Sequence, residues 1–168
     1  MSEEIINKVA QSKLVTFNLE DHYPEGKRSS IDIKEWLHEG LILREKEFRI
    51  SLENHDWAQY TDHFVALHCS SDAIVPGWAY MLITTKIAPY AKKAVQGDLQ
   101  ALESFLYQSV IESINVSDFQ DKMVIIKGCS KKPVPLNAYV FITEKLQAVA
   151  KSVMYGEACS SVPLFKRK

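Results

Sequence analysis

The chain has 168 residues, 46% of them hydrophobic, which is enough for one soluble domain with a substantial core. A net charge of -1 argues against a nucleic-acid binder, and Lys166, Arg167 and Lys168 form too short a basic run to change that. The opening "MSEEIINK" is acidic and lacks an apolar h-region, and no apolar run reaches membrane-spanning length, so neither a secretory signal nor a membrane partner is expected.

In chain order, "KLVTFNL" (13–19) predicts a strand. "SSIDIKEWLHEG" predicts a short helix, with Ser30 as N-cap and Gly40 as its stop. "EFRISL" (47–52) alternates Phe48, Ile50 and Leu52 with polar neighbours and predicts a half-buried strand. "HFVALHC" (63–69) and "MVIIKGC" (123–129) predict apolar strands. Between them, "PGWAYMLITTKIAPYAKKAVQG" predicts a helix kinked or divided at Pro89 and ended by Gly97. "DLQALESFLYQSVIES" predicts a second helix, capped by Asp98. "PLNAYVFITEKLQAVAKSVMYG" predicts a third, with Tyr139, Ile142, Leu146, Val149 and Val153 on one face. No linker or low-complexity stretch interrupts the chain, so residues 1–168 are expected to form a single domain.

The segments 64–93 and 124–152 resemble each other. With a one-residue gap in the loop, Cys69, Ser70, Val75, Pro76, Ala79, Tyr80, Ile83, Thr84, Lys86, Ala91 and Lys92 meet Cys129, Ser130, Val134, Pro135, Ala138, Tyr139, Ile142, Thr143, Lys145, Ala150 and Lys151. Shared packing rules would explain the apolar face, but packing alone has no need of Cys-Ser at both strand ends. The expected fold is therefore α/β (or α+β), a duplicated strand-Cys-loop-helix unit with pseudo-twofold symmetry.

Every cysteine in the chain sits in one phrase: "CSSDAIVP" from Cys69, "CSKKPVP" from Cys129 and "CSSVP" from Cys159. A cysteine just ahead of a helix is stabilised as thiolate by free N–H groups and the helix dipole. The expected compartment is the cytoplasm, where thiols stay reduced and a disulfide framework does not form. Three thiolates meeting there suit zinc, iron or an iron–sulfur cluster. The expected metal ligands are Cys69, Cys129 and Cys159, with Asp72 as fourth donor, and Ser70, Ser130 and Ser160 tune the sulfurs from beside them. The apolar tail after Cys159 (Val162, Leu164, Phe165) is expected to fold back and deliver that thiol. The spacing contains no CxxC, and a cysteine taken singly is more often a small buried hydrophobe. Asp72 equally suits a loop carboxylate capping the next helix, and His68 would point away from Cys69 along a regular strand.

Other groups carry less. His22, His38, His55 and His63 lack ligand spacing and read as surface or packing residues. Lys131 and Lys132 beside a helix start read as a solvated loop in preference to an anion site. Trp36, Trp57 and Trp78 read as core or rim residues, and Trp78, just after a cysteine loop, is also placed to cover its site. GxGxxG, Walker, GxSxG and HExxH motifs are missing.

"CSSDAIVPGWAYML", "EGLILREKEFR", "GCSKKPVP" and "GEACSSVPLFKRK" together resemble a bacterial family known as domain of unknown function 2480, over nearly the whole chain. The resemblance implies no established activity. It implies gene neighbours in the sulfur-mobilisation system, and hence iron–sulfur assembly proteins as partners. The expected function is a metal- or iron–sulfur-binding accessory protein. A thiol enzyme transferring sulfur or acyl groups through Cys129 or Cys69, and a binding module whose cysteines only pack, are the alternatives.

Overall fold

Two short apolar runs, Val65-Ala66-Leu67 and Val124-Ile125-Ile126, are buried throughout. A strand covered on both faces has no polar side to show, so each run becomes the inner strand of a largely parallel sheet. The structure, a computed structural model, describes residues 14–128 and 131–168. It divides into two compact units, Glu25–Leu106 and the combination of Met1–Pro24 with Tyr107–Lys168.

In the unit Glu25–Leu106, β2 (Arg28–Asp32), β3 (Phe64–His68) and β4 (Lys93–Gln96) form a parallel sheet in the order β2-β3-β4. Helix α1 (Glu45–Asn54) and helix α2 (Gly77–Ile87) pack Phe48, Leu52, Ala79, Ile83 and Ile87 against Ile31, Val65 and Leu67. Ala66, pointing the other way from β3, meets Leu102 and Leu106 of helix α3 (Leu99–Ser113).

In the other unit, β1 (Leu14–Asn18), β5 (Met123–Lys127), β6 (Ser152–Glu157) and β7 (Ser160–Lys166) lie in the order β1-β5-β6-β7. Only β7 runs antiparallel to its neighbour. Ala138, Ile142 and Leu146 of helix α4 (Leu136–Gln147) cover this sheet together with Tyr107 and Ile111 from the second half of α3.

The helices α2 and α4 follow one rule. Each begins directly after a proline and buries every fourth residue: Ala79, Ile83 and Ile87 in one, Ala138, Ile142 and Leu146 in the other. These positions stand a constant 59 residues apart, as do the buried strand residues Val65 and Val124 and the first residues of β4 and β6, Lys93 and Ser152. At that step Cys69 meets Gly128, and the one-residue gap is needed only to bring Cys69 opposite Cys129. The elements match without a gap; the cysteine phrase does not.

Several expectations are corrected. Residues 30–40 form no α-helix: Ser30 lies within β2, and Asp32 instead caps a single 3-10 turn, Ile33–Trp36. Residues 47–52 belong to α1, not to a strand. Phe48 and Leu52, four apart, fit either period, and Ile50, which a strand would have buried, is 51% exposed. The helix expected over 76–97 ends at Ile87; Pro89 has no N–H to extend it, and the chain enters β4. The helix expected over 135–156 ends at Gln147. Val153 is buried because β6 pairs with β5, not because it continues a helical stripe. The remaining elements lie where they were expected, including α3, which Asp98 caps by accepting from the Ala101 amide at 2.8 Å. No described helix is long and apolar enough to cross a membrane.

Candidate functional site

Both β3 and β5 deliver a cysteine phrase at their C-terminal ends, the edge at which open α/β sheets bind ligands. At the end of β3, the neighbouring β2 finishes in register with it, Asp32 opposite His68. The Asp32 carboxylate accepts from the Ser70 amide at 3.0 Å, the Ser70 hydroxyl at 2.5 Å and the Lys34 amide at 3.1 Å. Burial works to raise the pKa of Asp32. The hydrogen bonds from the Ser70 hydroxyl and amide and from the Lys34 amide, with His68 nearby, outweigh it and hold the carboxyl below its ordinary value. The start of the cysteine loop is thus tied to the adjacent strand by a charge-assisted clamp.

This clamp changes the roles expected of the nearby residues. Ser70 gives its hydroxyl to Asp32, and Ser71 is the serine beside the sulfur, with Cys69 Sγ 3.3 Å from Ser71 Oγ. Cys69 is half-buried and packs against the core of its unit. Ser70 to Pro76 intervene before α2 starts, so Cys69 lies outside the first helical turn, where the dipole is felt. Asp72 does not cap α2, which begins after Pro76 without a side-chain cap; it lines an open groove with Leu41, Ile42, Ile74 and Trp78.

At the end of β5 a second carboxylate plays a related part. Glu20, in the 3-10 turn that follows β1, accepts from the Lys131 amide at 2.8 Å and the Lys132 amide at 3.4 Å. The Lys132 ammonium lies over the Tyr23 ring, 4.6 Å from its centre. Cys129 and Ser130 lie outside the described residues. Because β5 and β6 are parallel, the hairpin that closes β6 onto β7 sits at this same edge. Lys127 and Glu157 stand 3.8 Å apart there, and a side chain at Gly128 would come within 3.1 Å of the Tyr155 hydroxyl. Cys159 is exposed in the turn between paired Glu157 and Ser160. The tail folds back as expected, but as an edge strand in which Phe165 joins the core while Val162 and Leu164 remain half exposed.

The structure therefore places Cys159 at the edge to which β5 leads, and Cys69, Ser70 and Asp72 in the other unit. Among the described residues, no three His, Cys, Asp or Glu side chains are grouped closely enough to hold a metal ion. The histidines serve packing and hydrogen bonding. His22 stacks on Phe17, His63 Nδ1 lies 2.9 Å from Ser29 Oγ, and His38 approaches Glu47. His55 sits among Trp36, Trp57 and Tyr60, its Nε2 3.1 Å from the Tyr60 hydroxyl. Burial lowers the pKa of His55 against the pull of Asp56 and Glu35, and burial raises that of Tyr60. The carboxylates Glu20 and Asp32 were not singled out from the sequence. Their only signal is the strand register, which brings Asn18 opposite Lys127 and Asp32 opposite His68.

The chain belongs to the family described as protein of unknown function (DUF2480), whose model matches residues 3–167. No curated protein and no solved structure matches it.

Proposed function

We propose that this member of the DUF2480 family is a cysteine-based metal-binding accessory protein that takes up zinc, iron or an iron–sulfur cluster. One observation carries the reading: Cys159 is exposed on a hairpin tip at the sheet edge where β5 hands the chain on, through Gly128, to Cys129. A hairpin that presents a thiol at a ligand-binding edge suits a soft metal ion, for which thiolate is the preferred donor. Cys129 and Cys159, which belong to one unit, are the ligands in this reading. Ser130 and Ser160 follow these two cysteines in the sequence; Ser70 acts through the Asp32 clamp that positions its loop. Iron–sulfur assembly proteins are the partners the reading calls for, and the cytoplasm is its setting. The constant 59-residue step between matching elements supports descent of the two units from a duplicated strand-helix-strand ancestor.

The test is metal analysis and an absorption spectrum of full-length protein purified without oxygen, beside Cys69→Ser, Cys129→Ser and Cys159→Ser. Wild type should hold metal in a fixed ratio to chain, with visible absorption if a cluster is present. Cys129→Ser and Cys159→Ser should each lose most of it. Metal retained at the wild-type level by both variants would overturn the reading.

A further inference from the structure

In the unit Glu25–Leu106, five large apolar residues face outward around one groove. Leu41 is 57% exposed, Ile42 53%, Ile74 91%, Trp78 37% and Met81 70%. Leu41, Ile42, Ile74 and Trp78 line an open groove of about 660 Å³, and Trp78 and Met81 line a second of about 410 Å³, with Glu45 common to both. The two grooves therefore form one continuous surface.

The fold builds this surface deliberately. Leu41 and Ile42 stand at the end of a tight turn in which His38 and Ile42 exchange backbone hydrogen bonds of 2.8 and 3.0 Å. Glu39 and Gly40 within it both take positive φ, 51° and 69°. A non-glycine residue held in the left-handed region is uncommon, and the turn that contains it leaves both aliphatic side chains exposed. Trp78 packs edge-on against Phe48 behind it, their ring centres 5.9 Å apart.

We propose that this face pairs with the same face of a second copy of the chain. A twofold interface must be complementary to itself, and this surface carries both partners of each kind of contact. Ile74 is a projecting knob on the wall of a groove. Glu45 and Arg49 on the rim of the second groove pair with each other at 2.9 Å, and across a twofold axis each can also meet its opposite, while Asp72 adds a carboxylate on the first groove. The five residues expose on the order of 600 Å², at the top of what a monomer leaves uncovered. Full burial of both faces removes about 1,200 Å² from water, the lower end of the range for stable interfaces.

Light scattering and sedimentation of the full-length chain, at tens of micromolar, decide the matter. The expected mass is twice 19.1 kDa. Ile74→Glu and Met81→Glu, both at exposed positions and each checked by far-UV circular dichroism, should raise the dissociation constant at least tenfold. A wild-type chain of 19.1 kDa at these concentrations would overturn the proposal. So would a dimer whose dissociation constant neither folded variant moves, since it would be held by another face.

Discussion

Replacing Asp32 with Ala removes the clamp on the Cys69 loop and nothing from the apolar core. Three hydrogen bonds are lost, from the Ser70 amide, the Ser70 hydroxyl and the Lys34 amide. Bonds to a charged acceptor contribute roughly 1.5–3 kcal/mol each when shielded. Asp32 is only partly buried and water replaces some of what is lost, so the expected total is about 2 kcal/mol, close to the larger helix-cap deletions. Because the folded-state pKa of Asp32 lies below its unfolded value, the carboxylate stabilises the fold fully above about pH 4. That contribution is lost as pH falls through the folded value, where both states carry the proton. Urea unfolding of wild type and Asp32→Ala, followed by tryptophan fluorescence, should therefore differ by about 2 kcal/mol at pH 7, and the difference should shrink as pH falls through the folded-state pKa of Asp32. Trp36, Trp57 and Trp78 all lie in the same unit as Asp32, so the signal reports the right part of the chain. A thiol reagent should also reach Cys69 faster in the variant, measured with Cys129→Ser and Cys159→Ser in both backgrounds. Equal stability at pH 7 and equal Cys69 reactivity would refute the clamp.

Two further perturbations test other parts of the same unit. Arg28 and Glu103 make a two-point contact of 2.6 and 3.1 Å, with side chains only 13% and 14% exposed; Glu103→Gln should cost about 1–2 kcal/mol in urea unfolding because a shielded guanidinium loses its charge partner. The exposed pair Arg44–Glu47, outside the two grooves, serves as comparison, and Glu47→Gln should cost no more than about 0.5 kcal/mol in the same experiment. His55 has a folded-state pKa below its unfolded value, so the unfolded chain binds the extra proton first and stability should fall as pH drops below about 6.5. In His55→Gln the slope of stability against pH just below about 6.5 should flatten; an unchanged slope would show that another group sets it.

Much of the architecture was legible in the residues. Val65-Ala66-Leu67 and Val124-Ile125-Ile126 admit little but an inner strand, and Asp98 followed by the α3 pattern marks its helix start without ambiguity. Family membership was also readable, because the cysteine phrases and the tail are specific strings that survive without any knowledge of the fold. Where the reading failed, the local pattern fitted two answers. Phe48 and Leu52 suit a strand or a helix, and only the core that receives them and leaves Ile50 in water chooses the helix. Val153 extends the apolar stripe of α4 in sequence, yet the free edge of β5 offers a row of hydrogen-bonding groups, and pairing there draws the chain out of helix into β6. The candidate site depends still more on tertiary structure. That Ser70 serves Asp32 instead of Cys69, and that Cys159 rides on a hairpin beside the end of β5, follow from strand order and register. Those are relations between segments far apart in the chain, set by which apolar faces must be covered together, and no local run of residues encodes them.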